Sequence, residues 1–358
     1  MTTLDLDAVL NQPRLRLEAA LAPAQGARFQ PTGFPDLGAA TFRRPETGSH
    51  AEMRMVVVES AQSIANRLEA VCWDTLQNDL VPELRGMPYV RVELTDGPDG
   101  VQVTSSLQEA HRLNSPYILK QAKRDVRAGT PLFAEEFRQQ AGIPAKGKKA
   151  GRGKSADSAE SQEEEGAAGI GVLNMRRIAA TIFHYDPNSV LHGVFLANLD
   201  GRVRLTRAVS GFIEAENVRD AVSGGVKLDR VHAGGDTAEG YGNVPYARTE
   251  YTAERITAYF SLDLALLRGY GLSAAALRFL GTLALWKIRR FLASGLRLRT
   301  ACDFEVQGEL VARVDGQVWG LPEEPALCPA LEEAIAACQK ESGLFAQPAI
   351  TVLTRPLA

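Results

Sequence analysis

The sequence predicts an α+β fold around an antiparallel sheet of the ferredoxin-like, or RRM-like, kind. In the first third of the chain, a β-branched run at 55–59 precedes a helical segment and two alternating stretches around a Gly/Pro/Asp turn. This order of strand, helix and hairpin forms the first three-quarters of a ferredoxin-like unit. Over residues 255–307 a strand, a long helix and a second strand follow one another, which is the order that closes such a sheet.

The composition is that of an ordinary globular protein rather than a polycation. The chain has 358 residues, 45% hydrophobic content and a net charge of −3, so any nucleic-acid surface must be a local basic groove. The N-terminus is not a signal peptide, and basic residues interrupt the longest apolar stretch, so we expect a cytoplasmic protein without a membrane span. The cysteines lack CxxC spacing and are expected to be reduced core thiols: Cys72, Cys302, Cys328 and Cys338.

Residues 1–141 are predicted to hold the first part of the sheet together with N-terminal elements. Residues 39–42 and 53–59 flank a turn-rich segment and should pair as a hairpin. Ser60 is the predicted N-cap of a helix over 60–76, whose apolar residues recur at helical spacing. Residues 89–105 should form a second hairpin.

Residues 142–168 differ sharply from their surroundings. Large apolar side chains are nearly absent, and a basic block is followed by an acidic block. Such a segment cannot bury enough surface to order itself, so it is predicted to be a disordered, low-complexity insertion within the fold. The alternative, a linker between two independent domains, stays open.

The next region, residues 169–222, is predicted to be rich in strands. We expect a strand over 175–187, a hairpin over 189–210 around an Asp-Gly turn, and a short helix over 211–222. Residues 223–254 are then predicted to form a glycine-punctuated loop.

The last third closes the sheet. Residues 255–264 alternate as a half-buried strand should, and a long helix is expected from its N-cap Ser273 to Gly295. The following strand reaches residue 307, with Arg297 and Arg299 on its polar face. Residues 308–358 form a C-terminal extension with one short helix and a strand-like tail.

No motif for catalysis or cofactor binding is present in the sequence. A P-loop, a complete dinucleotide fingerprint and a GxSxG elbow are all missing, and the five histidines form no metal-binding pair. We therefore predict no catalytic residue, no metal and no cofactor.

Basic residues cluster in settings that indicate a nucleic-acid surface. They accompany exposed-backbone glycines and aromatic residues, as a groove for single-stranded RNA requires. The alternative is an ordinary solvated face. The clusters are Arg202, Arg204 and Arg207 after the Asp-Gly turn; Lys227 and Arg230 after Gly224-Gly225; Arg248 after Tyr246; Lys287, Arg289 and Arg290 on the long helix; and Arg297 and Arg299.

Several long stretches resemble one known family. They are RFQPTGFPDLG, VVVESAQSIANRLEA, LNSPYI, GVFLANLDGRVRLTRAVSGFIEAENV, SGGVKLDRV, GYGNVPYARTEYTA, LALWKIRRFL and LRLRTACDF. Together they resemble the Csb1 family, the RAMP-superfamily backbone subunit of the type I-G (formerly I-U) CRISPR Cascade surveillance complex. The resemblance runs from about residue 14 to about residue 307.

The resemblance implies an RRM-like palm with inserted finger and thumb elements. Copies would stack head to tail along one CRISPR RNA, and a thumb would hold a flipped-out base at a kink. The complex, with its other Cascade subunits, would pair the guide with a target DNA strand and recruit a separate nuclease-helicase. This subunit would not cleave nucleic acid.

The resemblance also implies RNA-binding positions. The segment 223–254 would be the thumb or its base, Tyr241 or Tyr246 would stack on a base, and Arg248 would bind a phosphate. The full set of predicted contacts is the basic clusters above together with Asn66, Arg67, Ser210, Gly224, Gly225, Tyr241, Asn243 and Tyr246.

Two alternatives compete with this prediction. Related backbone subunits cleave bound RNA with a loop aspartate, and Asp229 or Asp236 with His232 would supply a similar acid–base pair here. The second alternative is a structural protein that self-assembles without nucleic acid. Only RNA-organised assembly should weaken as salt rises.

Overall fold

A computed structural model describes residues 6–34, 36–48, 51–95, 102–124, 129–144 and 172–356. The described helices are α1 (Asp7–Leu10), α2 (Ala61–Ala70), α3 (Pro116–Leu119), α4 (Phe133–Ala141), α5 (Met175–Tyr185), α6 (Pro187–His192), α7 (Leu264–Gly269), α8 (Ala274–Ala293) and α9 (Glu324–Lys340). The first strands are β1 (Arg14–Pro23), β2 (Gly33–Phe34), β3 (Gly38–Ala39), β4 (Thr41–Arg44), β5 (Met53–Glu59), β6 (Trp73–Asp74), β7 (Asp79–Leu80), β8 (Tyr89–Thr95) and β9 (Gln102–Ser105). The later strands are β10 (Val194–Phe195), β11 (Arg204–Leu205), β12 (Val209–Glu216), β13 (Arg219–Lys227), β14 (Val244–Thr252), β15 (Arg255–Asp263), β16 (Arg297–Arg299), β17 (Cys302–Val314), β18 (Gln317–Trp319) and β19 (Ile350–Pro356).

The main sheet confirms the predicted α+β, ferredoxin-like palm. Its order is β16-β17-β1-β15-β12-β5-β4, with β18 added beside β17. The pairs along this order are antiparallel. Numbered along the chain, the central strands β1, β12, β15 and β17 lie in the order 4-1-3-2, with α2 before the second strand and α8 before the fourth. This is the ferredoxin-like arrangement.

The strand–helix–hairpin unit of the palm was predicted wrongly. Its predicted first strand, β5, lies between β12 and β4, outside the four central strands, whose first member is β1. The hairpin of β8 and β9 exists, but it pairs with β19, in parallel, in a separate three-stranded sheet. The palm instead takes β12, far along the chain, beside β15. Alternation shows that a strand has two faces, but it does not show which sheet the strand joins.

Helices cover one face of the palm. Alternate residues of β1 are buried on this side: Leu15, Leu17, Ala19 and Leu21. Ser273 caps α8 as predicted, with its hydroxyl accepting from the Ala276 N–H at 3.3 Å. Most of α8 is buried because α9 packs on the side away from the sheet. Residues 308–358 therefore belong to the fold: β17 continues through Val314, α9 covers α8, and β19 completes the second sheet.

Three local predictions need correction. Residues 175–187 form the helices α5 and α6 rather than a strand, with Asn174 as the N-cap of α5. Residues 211–222 belong to β12 and β13 rather than to a helix. The hairpin over 189–210 shrinks to the short pairing of β10 with β11, so Arg202 lies in the turn and does not share a strand face with Arg204.

The predicted glycine-punctuated loop is largely a β-hairpin. Strands β13 and β14 pair from Arg219–Thr252 to Lys227–Val244, and residues 228–243 form the tip. We call this element the β13–β14 hairpin. It leaves the palm between β12 and β15, and many of its large apolar side chains are exposed.

The predicted insertion is described only at its beginning. Gly142 ends α4 in the left-handed conformation and Ile143 is buried, so residues 142–144 belong to the folded core. The rest of that prediction, residues 145–168, lies outside the described residues. No helix in the described part of the chain is long and apolar enough to cross a bilayer.

The cysteines are free thiols, as predicted. Cys72, Cys302 and Cys338 are buried and Cys328 is half-buried. Burial raises the pKa of Cys302 to about 11 and that of Cys338 to about 12. These thiols therefore stay protonated at neutral pH and behave as small apolar groups.

Candidate nucleic-acid interface

A cleft of about 540 Å³ lies at the foot of the β13–β14 hairpin. It is lined by residues 24–28, Arg248, Glu250, Arg297, Ala301 and Asp303; we call it the hairpin cleft. Three distant parts of the sequence meet here because Phe29 and Tyr251 exchange two backbone hydrogen bonds of 2.9 Å. The Ala24 N–H also donates to the Asp303 carbonyl at 2.9 Å, which joins the end of β1 to β17.

Two arginines of the hairpin cleft share one buried carboxylate. Glu250 is almost fully buried, with Arg28 Nη1 3.2 Å from its Oε2 and Arg248 Nε 2.9 Å from its Oε1. Arg297 lies 3.8 Å from Asp303 and keeps 80% of its side chain exposed. Three guanidiniums thus face two carboxylates, which leaves one net positive charge. Each guanidinium also has more N–H donors than these contacts use.

A second cleft, of about 250 Å³, is also lined by Arg297. Arg67 lines it, but its Nε donates to Glu59 at 2.7 Å and its Nη2 to the Leu298 carbonyl. Burial lowers the pKa of Arg67. Arg299 also ion-pairs with Glu59 and donates to the carbonyls of Gln30 at 3.1 Å and Val58 at 3.0 Å. Arg67 therefore links α2 to β5 and β16, and Arg299 links β16 to β5. The prediction that Arg299 shares the exposed face of Arg297 is wrong.

One face of the β13–β14 hairpin carries the predicted aromatic and basic residues. Tyr246 and Arg248 lie on the same face, with the Arg248 guanidinium 5.8 Å from the Tyr246 ring centre. The Tyr246 ring lies over Gly225, where a Cβ atom would come within 2.9 Å of the tyrosine hydroxyl. Lys227 is exposed at the end of the same face. Gly224 has the opposite parity and points to the other face.

The hairpin tip is built by its polar residues. The Asp229 carboxylate accepts from the backbone N–H groups of Val231, His232 and Gly242, and these bonds lower its pKa. Asn243 Oδ1 accepts from the Asp229 N–H at 2.9 Å. Tyr241 and Arg230 are exposed beside this framework.

The remaining predicted residues of the palm and its flank lie apart from the hairpin cleft. Asn66 is exposed on α2, where Gln62 donates to it at 3.1 Å, and Arg207 donates to the same Gln62 at 2.9 Å. Arg202 is paired with Asp200 at 2.8 Å, and the Arg204 guanidinium lies 4.6 Å from the Phe195 ring centre. Ser210 is half-buried on the sheet face opposite the helices.

The predictions for the long helix are largely wrong. Lys287 is fully buried, with its Nζ donating to Asn188 and lying 3.0 Å from His192 Nε2. Arg289 is buried and donates to the carbonyls of Leu321 and Pro322. Arg290 is half-buried and pairs with Glu324 at 2.9 Å. Lys287 and Arg289 therefore do not reach the surface of this chain.

Comparison with known proteins identifies the family. Residues 15–220, more than half of the chain, match the model of the family described as CRISPR-associated protein GSU0053. The chain belongs to this CRISPR-associated family. No curated protein sequence matches the chain.

Solved structures similar to this CRISPR-associated protein are distant. One is a chain of the structure described as "CRISPR RNA-guided surveillance complex, pre-nicking", with 14% identity, a TM-score of 0.37, and coverage of 90% of this chain and 87% of that chain. Another is the crystal structure of Csc2 from Thermofilum pendens, with 11% identity, a TM-score of 0.33, and coverage of 95% and 79%. The strand order of the main sheet is what shows the ferredoxin-like fold.

The structure of this CRISPR-associated protein brings together only some of the predicted RNA-binding residues. Arg248 and Arg297 meet in the hairpin cleft, and Tyr246 lies beside Arg248. Arg28 completes the cleft but was not predicted, because it lies in an irregular segment where no strand or helix period marks its side. Its signal is its place at the start of the Pro/Gly-rich loop 28–38.

Proposed function

We propose that this chain is a non-catalytic backbone subunit that binds CRISPR RNA in the hairpin cleft and assembles in several copies along it. The observation that carries the proposal is the convergence of Arg28, Arg248 and Arg297 beside Tyr246. Membership of a CRISPR-associated family supports it. The other partners are the target DNA strand, further Cascade subunits and a separate nuclease-helicase.

The side chains of the hairpin cleft suit contacts that do not depend on the RNA sequence. Guanidiniums bind phosphate oxygens of any nucleotide, and an exposed tyrosine ring stacks on any base. Glu250 holds two of these guanidiniums in place before RNA arrives, so less side-chain entropy is lost on binding. Specificity is then left to base pairing between the guide and invading DNA.

The ribonuclease alternative finds no support at its named residues. Asp229 accepts three backbone N–H groups, and the Asp236 carboxylate accepts from the Ala238 N–H at 2.9 Å. At Asp229 these bonds lower the pKa, which makes its carboxylate a weaker base. Both aspartates shape the hairpin tip, which favours a non-catalytic subunit.

The test is RNA binding by the triple variant Arg28→Ala/Arg248→Ala/Arg297→Ala, measured by fluorescence anisotropy across a salt series. The magnitude of the slope of log K against log salt should fall by about 0.7 for each lost phosphate contact on a single strand. Arg43→Ala, which removes an exposed, ion-paired arginine of β4, is the matched control. Unchanged affinity and slope in a triple variant that remains folded would refute the proposal.

A second measurement tests assembly. Size-exclusion chromatography with absorbance at 260 and 280 nm should show a large species rich in nucleic acid that collapses on nuclease treatment. A species of the same size that survives nuclease and high salt would favour self-assembly without RNA.

A further inference from the structure

The sheet face opposite the helices carries a cross-strand row of two hydroxyls and two arginines. The strand registers place Ser210 opposite Ser261, Ser261 opposite Arg16, and Arg16 opposite Arg313. This row spans β12, β15, β1 and β17, the four strands of the palm. We call it the arginine row.

The two arginines of the row have no counter-charge. Neither guanidinium forms an ion pair or a side-chain hydrogen bond with any other residue in the described part of the chain. Like charges directly opposite on neighbouring strands repel each other and destabilise the sheet. Arg14 on the same strand differs, because it is paired with Asp263 at 2.7 Å. The opposed pair is therefore a place where an anion would relieve a built-in repulsion.

Other groups on this sheet face also favour a bound nucleotide. The Ser261 hydroxyl is sheltered from solvent and lacks a hydrogen-bond partner, although a buried polar group normally has one. In the adjacent row, Phe212 lies opposite Tyr259, with ring centres 5.2 Å apart and planes inclined by 33°. Phe212 keeps 37% of its surface exposed on this open face. A ring pair with one exposed member, Phe212, beside an anion site suits a nucleotide, whose base stacks while its phosphate is bound.

Acidic residues fix the orientation of such a ligand. Glu18 lies opposite Tyr259 in the aromatic row, and Glu214 follows in the next row towards the hairpin. Carboxylates repel a phosphate, so the phosphate must lie at the arginine row and the base over Phe212 and Tyr259.

We propose that the arginine row and the Phe212–Tyr259 pair form a second contact for single-stranded RNA, with one phosphate between Arg16 and Arg313 and the adjacent base on the rings. This inference rests on the proposed function, because it takes the occupant to be the RNA held in the hairpin cleft. Strand β1 connects the two sites, since Arg16 lies in it and the cleft residues 24–28 follow its end. At about 3.3 Å per residue, roughly 25 Å separates them along the strand.

The test uses the full-length protein with the double variant Arg16→Ala/Arg313→Ala and the variant Phe212→Ala. RNA affinity at low salt should fall at least about tenfold in the double variant, and the magnitude of its salt slope should fall by up to about 1.4, for two guanidinium contacts. The thermal midpoint without RNA should not fall, because removing an unpaired like-charge contact relieves repulsion. Arg14→Ala on the same strand, whose arginine is already ion-paired, is the matched control.

Crosslinking gives an independent readout. Ultraviolet irradiation of the RNA complex followed by mass spectrometry should identify RNA adducts on peptides that contain Phe212 or Tyr259. Unchanged RNA affinity and salt slope in the double variant, with no adduct on these peptides, would overturn the inference. So would loss of binding to another copy of the chain at unchanged RNA affinity, because the face would then be a protein interface.

The outcomes separate this inference from the proposed function. If the cleft triple variant loses RNA while the arginine-row variant binds normally, the proposed function stands and the inference fails. If the arginine-row variant loses RNA while the cleft variant binds normally, RNA binding is retained but the hairpin cleft is refuted as its site. If neither variant changes RNA binding, both fail.

Discussion

Arg297 and Arg299 lie two residues apart on one short strand, yet their surroundings are opposite. Arg297 has 80% of its side chain in solvent and only a 3.8 Å contact with Asp303. Arg299 is only 26% exposed and binds the buried Glu59 and two backbone carbonyls. A register shift between them in the pairing of β16 with β17 breaks the alternation that would put them on one face.

The same contrast divides the basic residues of the whole chain. Arg67, Lys287 and Arg289 are committed to carboxylates, amides and carbonyls inside the fold. Arg16, Arg297 and Arg313 keep their donors available at the surface, and Arg28 and Arg248 keep part of theirs. An arginine can take up a phosphate only if its donors are not already used, so partners rather than sequence spacing separate structural cations from binding cations.

The largest effect that tests this contrast is expected from Glu59→Gln. The substitution keeps the side-chain shape but leaves Arg67 and Arg299 without their shared buried counter-charge. Breaking a buried ion pair typically costs about 3–5 kcal/mol. We expect about 3 kcal/mol in the free energy of unfolding, since both arginines keep about a quarter of their surface in water. Chemical denaturation measures the change.

The control for Glu59→Gln is Glu52→Gln, which removes an exposed partner of Arg43. An exposed pair contributes less than about 1 kcal/mol. Equal destabilisation by the two variants would contradict the division into structural and surface arginines.

A smaller effect is expected from the buried network around Lys287. Burial, together with the positive charges of Lys287, Arg112 and Arg207, lowers the pKa of His192 well below 6.5. The unfolded chain binds a proton at this histidine below about pH 6.5 and the folded chain does not, so acid favours unfolding. The free energy of unfolding should therefore fall as the pH drops from 7 to 5.

His192→Gln isolates this contribution. At pH 5 the wild-type chain should have lost about 2 kcal/mol more than the variant, relative to each protein's stability at pH 7. Urea denaturation at several pH values gives the comparison. Parallel pH curves for the two proteins would show that His192 is not held neutral in the folded chain.

The sequence predicts the parts of the fold whose two faces differ strongly. The alternation of β15, the β-branched run of β5 and the caps Ser60 and Ser273 are all confirmed. A strand was predicted wrongly over residues 175–187 because Ile, Thr, Phe and Tyr favour strands, although the buried positions follow helical spacing. The pairing of strands that are distant in the sequence could not be predicted either, because no local pattern shows that β12 rather than β8 joins the palm.

The candidate site was predictable only in part. Arg248, Arg297 and Tyr246 have local signals, since each follows a glycine within a few residues. Arg16 and Arg313 do not, because their opposition depends on a register between strands almost 300 residues apart in the sequence. Lys287 and Arg289 were assigned to the surface because no signal in α8 shows that α6 contacts Lys287 and that the loop before α9 covers Arg289.

The smallest expected effect concerns Arg202 and Arg204, which lie between the two classes. Arg202 is exposed, but Asp200 already accepts hydrogen bonds from its guanidinium. The Arg204 guanidinium packs over the Phe195 ring. We propose that both lie along the RNA path as peripheral contacts. Arg202→Glu/Arg204→Glu should therefore weaken RNA binding less than the cleft triple variant does, without unfolding the protein. RNA affinity equal to wild type would remove both from the interface, whereas a loss as large as that of the cleft variant would move the main binding surface to this turn.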